Sequence, residues 1–153
     1  MSFDSALESL KLELPEVPKP VGSYVSVVES GGFAFLSGLL PRKGSEILYQ
    51  GKVGADLPLE KACEAAHLCA LNALSVIKDY FGTLDRVERI VRLVGFIQSH
   101  PLFSDQPYVL NGASDLFKKV FGEKGLHARS AVGVASLPGN AACEIELTLK
   151  ISR

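Results

Sequence analysis

The sequence predicts an α+β domain in which two helices cover one face of a single mixed sheet of six strands. Two segments carry apolar residues at helical spacing, and about six others are rich in β-forming residues, in the order ββ(β)αβαββ. The chain has 153 residues, of which 47% are apolar and 22% charged. That length and balance are typical of one globular domain.

The N-terminal part is predicted to hold an arm followed by strands. The arm, residues 1–17, contains a short helical turn, and the single domain spans residues 18–153. Four prolines and glycines between Leu14 and Ser23 favour an extended path there. Strands are then predicted over residues 24–28, 33–40 and 47–53.

The C-terminal part alternates helices with strands. Alanine-rich apolar residues at spacings of three and four predict a long helix that begins near Pro58 and ends at Gly82. A second helix is predicted from about Pro107 to Phe121 by the same pattern. Strands are predicted over residues 87–97, 130–135 and 142–151, the last two joined by a turn at 137–140.

Two helices on one face would leave the other face of the sheet apolar and uncovered. Such a face tends to associate with neighbouring subunits. The sequence therefore predicts an oligomer.

Charge and cysteine content exclude several classes of protein. The net charge is −1 with no basic block, so nucleic-acid binding is not expected. The three cysteines, an odd number without a CxxC pair, predict free buried thiols rather than zinc ligands or disulfides. The sequence contains no run of about 20 apolar residues, so we expect no membrane span. The N-terminal segment does not resemble a signal peptide, and we expect a cytoplasmic protein.

Arg129 is the strongest candidate for a functional side chain. It lies at the start of an apolar strand, in His127-Ala128-Arg129-Ser130-Ala131-Val132, where a guanidinium near the core needs an anion. One interpretation is a structural arginine paired with a local acid. The other is a bidentate clamp on the carboxylate of a small ligand.

Two carboxylates on the last predicted strand form the second candidate. Glu144 and Glu146 alternate with Ile145, so both point to the same face. That face is either simply solvated, or one carboxylate approaches Arg129 across a hairpin or a subunit boundary and orients a water molecule.

The other polar candidates are weaker when each is taken alone. Asn111-Gly112 is locally unfavourable inside a helical pattern, which singles it out. Tyr24 and Ser37-Gly38 could form hydrogen bonds to a ligand, but ordinary packing or turn roles would explain each of them equally well. The three histidines are scattered without ligand spacing, so we expect no metal site.

Together these segments resemble the YjgF-like proteins, a family of reactive imine/enamine deaminases often labelled endoribonuclease-like. The resemblance covers roughly residues 18–152. Its most specific part is Arg129-Ser130 followed by Leu137-Pro138 and Glu144-Ile145-Glu146, at the spacing found near the family's C-terminus. Weaker matches are Val21 to Tyr24, Leu36-Ser37-Gly38, the alanine-rich helix, and Asn111 before Leu116-Phe117.

The resemblance implies a chorismate-mutase-like fold and a homotrimer with pockets between subunits. By the same resemblance, Arg129 would grip the substrate carboxylate and Glu144 would act on the attacking water. Other pocket positions would be Tyr24, Ser37, Gly38, Asn111 and Ala131.

The sequence also departs from the family's pattern. Ala131 stands where active members often have a pocket cysteine, and Ser23 replaces the usual proline before the tyrosine. His127 lies where many members have proline or another apolar residue. The loop between Phe96 and Asn111 is longer than in compact members.

The expected function is hydrolysis of a 2-imino acid or its enamine to a 2-keto acid and ammonia, with no metal or organic cofactor. One alternative is a non-catalytic trimer that binds a small carboxylate metabolite, an interpretation suggested by Ala131 and the longer loop. A third is RNA cleavage, which the near-neutral charge disfavours.

Overall fold

A computed structural model describes residues 2–153 as an open sheet packed against helices. The predicted long helix and second helix are both present, as α2 and α3. Short 3₁₀ turns occupy residues 84–86, 122–125 and 138–140. The helices and strands, in chain order, are α1 Phe3–Ser9, β1 Val27–Ser30, β2 Phe33–Leu39, β3 Arg42–Lys43, β4 Glu46–Ile47, α2 Leu59–Phe81, β5 Val87–Gln98, α3 Gln106–Phe121, β6 Ala128–Val134 and β7 Cys143–Ile151.

The main sheet has five strands in the order β1-β2-β7-β5-β6, so the prediction of six strands in one sheet is wrong. β5 and β6 run parallel, and the other neighbours are antiparallel. The predicted third strand does not form. Its segment follows a separate two-stranded hairpin, β3-β4, and contributes only isolated bridges at Gln50 and Val53.

The last two strands are not a hairpin, contrary to expectation. β5 lies between β6 and β7, pairing in parallel with β6 and antiparallel with β7. Parallel neighbours need a crossover connection, and α3 provides it between β5 and β6. The turn near Pro138 therefore carries the chain over β5 rather than back along β6.

Helices α2 and α3 pack on the same face of the sheet, as predicted. Along β7, alternate residues from Cys143 to Ile151 are buried beneath them. α2 ends at Gly82, whose φ of 77° is the left-handed conformation that glycine adopts most easily. The opposite face, termed the open face below, carries half-exposed apolar side chains that include Val28, Phe35 and Val132.

A third helix, α1, forms where only a helical turn was predicted. The Ser2 hydroxyl accepts a hydrogen bond from the Ser5 amide (3.0 Å) and caps its N-terminus. Leu7 is 5% exposed, and the Phe3 ring meets the Phe121 ring edge-on with centroids 4.9 Å apart. Residues 2–17 therefore pack against the remainder of the chain. None of the helices within residues 2–153 has both the length and the apolar character needed to cross a bilayer.

Candidate functional site

Arg129 projects from the second position of β6 towards α3. In the register it lies beside Leu93, a fully buried residue on the helix-covered face. Its Nη1 donates to the Ser114 hydroxyl (3.0 Å), and its Nη2 donates to the Pro107 carbonyl (3.0 Å). Both terminal nitrogens are thus attached to one helix.

The guanidinium has no acidic partner in the part of the chain that the structure describes. No carboxylate of residues 2–153 lies within 4.0 Å of its nitrogens. The interpretation of Arg129 as one half of a local ion pair therefore finds no support. A guanidinium has five N–H donors, and the two neutral acceptors on α3 use two of them. Three donors and the full positive charge remain for a ligand.

A second layer of hydrogen bonds lies behind Ser114. Its hydroxyl is 2.9 Å from Nε2 of His127, and Nδ1 of His127 is 2.6 Å from the Gly125 carbonyl. Burial lowers the pKa of His127, and the Arg129 charge lowers it further, against the Gly125 hydrogen bond. In the sequence, His127 is noted only as one of three scattered histidines and as a departure from the family, and Ser114 is not among the predicted site residues. Their sequence separation of 13 residues gave no signal of a contact.

Asn111 and Ala131 lie in the same region as Arg129. Asn111 follows Pro107 by four residues and precedes Ser114 by three, so all three share one face of α3. Its side chain is exposed. Ala131 pairs with Gly95 on the same side of β6 as Arg129 and is half-buried.

Gly112 has a packing role. The sequence singled it out together with Asn111 because the pair is unfavourable inside a helix. A Cβ at this position would lie 2.2 Å from the backbone oxygen of Cys63 in α2. Glycine is therefore required for α2 and α3 to approach one another closely. The unfavourable residue inside the helix is explained by packing between the helices, and only Asn111 remains available for a ligand.

Glu144 lies on the other face of the sheet. It pairs with Phe96, which is three residues from Leu93 on β5, and an odd separation places the two on opposite faces. The Glu144 side chain is half-buried. Burial raises the pKa of its carboxyl group, and the neighbouring Glu146 raises it further. A carboxylate in this state is a stronger base than an exposed one.

Gly38 lies against Glu144, and Tyr24 and Ser37 lie around the same small cavity as Gly38. A Cβ at Gly38 would lie 2.1 Å from Oε1 of Glu144, so only glycine leaves the carboxylate in place. The Ser37 hydroxyl donates to the Val25 carbonyl (2.6 Å), and the Tyr24 hydroxyl accepts from the Val21 amide (3.2 Å).

Tyr24, Ser37 and Gly38 all line a small cavity of about 30 Å³. Four larger cavities, of about 150, 420, 440 and 470 Å³, are lined by other residues.

The predicted site residues thus form two groups on opposite faces of one sheet. The arginine group holds Arg129, Asn111 and Ala131; the glutamate group holds Glu144 with the Tyr24, Ser37 and Gly38 cluster. A single chain does not bring the two groups together, and the predicted approach of Glu144 to Arg129 across a hairpin is wrong because β5 separates their strands.

The structure is that of an α+β protein in which Arg129 has no acidic partner within residues 2–153 and Glu144 is half-buried on the other face of the sheet. Comparisons with known proteins agree with this fold. A family model described as "YjgF/chorismate_mutase-like, putative endoribonuclease" matches residues 4–151. The chain belongs to this YjgF/chorismate-mutase-like family, which confirms the resemblance seen in the sequence.

Individual relatives carry different names. Protein TCP17 of Trypanosoma cruzi is 44% identical over 147 residues, covering 95% of this chain and 92% of that protein. A 2-iminobutanoate/2-iminopropanoate deaminase of Dermatophagoides farinae is 29% identical, with coverages of 88% and 91%. The crystal structure of Atu1372 from Agrobacterium tumefaciens, a protein of unknown function, has a TM-score of 0.89 and 40% identity, with coverages of 98% and 92%.

Proposed function

We propose that the protein hydrolyses reactive 2-imino acids, or their enamine tautomers, to 2-keto acids and ammonia. The main support for this proposal is that Arg129 lacks an acidic partner and has N–H donors to spare. Its guanidinium is held by the Pro107 carbonyl and the Ser114 hydroxyl, has no acidic partner within residues 2–153, and keeps three N–H donors free. A substrate carboxylate supplies the missing negative charge.

Arg129 would hold that carboxylate through two parallel charge-assisted hydrogen bonds. Because the guanidinium is tied to α3 at both terminal nitrogens, the carboxylate is fixed in orientation as well as in position. The adjacent C=N carbon is thereby fixed relative to an attacking water molecule. Asn111 and Ala131, on the same side of Arg129, would contact the remainder of the substrate.

Glu144 would orient that water and accept its proton. Burial, and then Glu146, raise the pKa of its carboxyl group, which makes the carboxylate a stronger base than an exposed glutamate. Water adds to the C=N carbon to give a carbinolamine, and the C–N bond then breaks to release ammonia. Tyr24, Ser37 and Gly38 would form the wall around Glu144 on the substrate's other side.

The active form would be a homotrimer, because one chain holds only separated halves of this site. The open face carries partly exposed apolar side chains, including Phe33, Phe35 and Val132, which a neighbouring copy would cover. In such a trimer, the glutamate group on the open face of one subunit would have to meet the arginine group at the edge strand β6 of the next.

Ala131 favours a second candidate, a non-catalytic trimer that binds a small carboxylate metabolite. The resemblance associates this position with a cysteine in active members, and an alanine keeps the carboxylate clamp but removes the thiol. This alternative predicts saturable binding that depends on Arg129, with no turnover.

The names of the relatives bear on two activities, deamination and RNA cleavage. A deaminase name is carried by the relative from Dermatophagoides farinae. The endoribonuclease description belongs to the family model, whereas this chain has a net charge of −1 and no basic block for a phosphate backbone.

The test generates 2-iminobutyrate and 2-aminoacrylate in situ from threonine and serine with a separate dehydratase. Loss of the imine is then followed by absorbance in the presence of wild-type protein, Arg129→Lys or Arg129→Ala. Arg89→Lys is the matched control, because Arg89 also donates to a backbone carbonyl, that of Leu126, but is exposed and outside both groups.

We expect the wild type and Arg89→Lys to accelerate imine loss and Arg129→Lys to be strongly impaired. Lysine keeps the charge but lacks the planar fork. Equal turnover by Arg129→Lys would contradict the clamp. If no protein accelerates imine loss, the metabolite-binding alternative is preferred, and small carboxylates are screened for binding.

A further inference from the structure

We propose that His127 and Ser114 are positioning residues that hold the Arg129 guanidinium ready for a carboxylate. The kinetic effects expected of these two residues rest on the proposed function, whereas their structural role does not. Both residues reach Arg129 through contacts that only the folded chain creates.

The hydrogen bonds allow only one arrangement of protons when the His127 ring is neutral. The Gly125 carbonyl can only accept, so Nδ1, at 2.6 Å, must carry the proton and donate. Nε2 then has a free lone pair and accepts the Ser114 hydroxyl proton over 2.9 Å. The serine oxygen is left to accept from Nη1 of Arg129 at 3.0 Å.

This arrangement forms a directed chain that begins at a fixed backbone carbonyl and ends at the guanidinium. Gly125 is buried and packs closely against α3, since a Cβ there would lie 2.2 Å from the Phe117 backbone oxygen. The His127 ring also meets the Phe117 ring edge-on, with centroids 6.2 Å apart. Serine alone could rotate its hydroxyl freely, whereas a serine that donates to His127 presents its oxygen lone pairs towards Arg129.

A protonated His127 would reverse this arrangement. The imidazolium would donate from Nε2, and the serine oxygen would then face two donors while its own proton lost its acceptor. A second positive charge would also lie near Arg129. Burial and the Arg129 charge both keep the pKa of His127 below the ordinary value of 6.5, which agrees with the neutral form that the geometry requires.

The role can be tested with paired variants. Ser114→Ala removes the hydroxyl that contacts Arg129, whereas Ser114→Thr keeps it. His127→Phe keeps an aromatic ring against Phe117 but removes both nitrogens, whereas His127→Gln retains an acceptor for the serine proton. Thermal unfolding of each variant shows whether the fold is kept.

The first measurement needs no substrate. In NMR spectra of the free protein, His127 should be the neutral Nδ1–H tautomer, and restricted rotation of the Arg129 guanidinium should give resolved Nη–H signals. Ser114→Ala and His127→Phe should average these signals, while Ser114→Thr retains them. An Nε2–H tautomer in the wild type, or resolved Arg129 signals unchanged in Ser114→Ala, would overturn the proposal whatever the protein's activity.

The second measurement is steady-state kinetics with in situ 2-iminobutyrate. A charge-assisted hydrogen bond typically contributes enough that Ser114→Ala should lose about tenfold to a hundredfold in kcat/KM. The loss should appear partly as a raised KM, because the carboxylate clamp is loosened, and Ser114→Thr should recover most of it.

Failure of the positioning role and failure of the proposed function would give different results. An active wild type with a fully active Ser114→Ala would refute the positioning role and leave the deaminase proposal intact. An inactive wild type with the expected NMR signals would support the positioning role and refute the deaminase proposal.

Discussion

Substituting Gly38 by alanine should impair catalysis through Glu144 while leaving the fold intact. Gly38 does not have a positive φ, so alanine can adopt its backbone conformation. The new Cβ would lie 2.1 Å from Oε1 of Glu144, whereas ordinary contact begins at 3.4 Å. The carboxylate must therefore retreat by roughly 1.3 Å, the difference between these distances. A misplacement of about 1 Å at a reacting group costs about a hundredfold in rate.

The assay is the imine-loss reaction, with kcat and KM measured for Gly38→Ala, Glu144→Ala and the double variant. We expect kcat to fall by about a hundredfold in Gly38→Ala. The cost in unfolding free energy should stay below about 1 kcal/mol, because the displaced atoms belong to the end of a flexible side chain.

The double variant is the decisive control, because two changes that act through one group are not additive. We expect it to be no slower than Glu144→Ala. Wild-type kinetics in Gly38→Ala would show that the position of the Glu144 carboxylate is unimportant. Losses that multiply in the double variant would show that Gly38 acts by another route.

Two further predictions concern acid–base behaviour and helix packing. The acid limb of the kcat/KM profile should lie above the ordinary glutamate pKa of 4.5, because burial and then Glu146 raise the pKa of Glu144 and the base is lost as pH falls through that raised value. Glu146→Gln should move the limb to lower pH and Glu144→Gln should abolish it, whereas an unmoved limb would assign it to another group. Gly112→Ala should destabilise the protein by about 1–3 kcal/mol, since its Cβ would meet the Cys63 backbone 2.2 Å away. The exposed substitution Asp115→Ala on the same helix should cost under about 0.5 kcal/mol by urea unfolding, and a stabilised Gly112→Ala would contradict the close helix contact.

The separation of the two residue groups bears on how any activity would depend on concentration. If Arg129 and Glu144 come from different subunits, dilution below the dissociation constant of the assembly should remove activity from correctly folded chains. A monomer that retained turnover would require another base on the helix-covered face. The half-exposed apolar residues of the open face are the surface to substitute in that experiment.

Local patterns in the sequence were sufficient to find the helices and most strands. The spacing of apolar residues in α2 and α3 depends only on which face of each helix is buried, so it can be read from the sequence. The glycine after α2 adopts the left-handed conformation expected at the end of a helix. The same kind of local information singled out Arg129, because a charged residue at the start of an apolar strand conflicts with its surroundings. The family followed from motif spacing near the C-terminus, which the family model confirms over residues 4–151.

The sequence by itself therefore determined the two long helices, most of the strands, the family and the candidate arginine, all of which depend on residues close together in the chain. Only the tertiary structure decided that β5 separates β6 from β7, that Arg129 and Glu144 face opposite sides, and that the oxygens of Ser114 and Pro107 hold the guanidinium. Strand order and side-chain contacts between distant segments depend on how whole elements pack, and no local periodicity records that choice. Gly112 shows the difference within one residue: the sequence marked it as unfavourable in a helix, and only the approach of α2 explained why it is there.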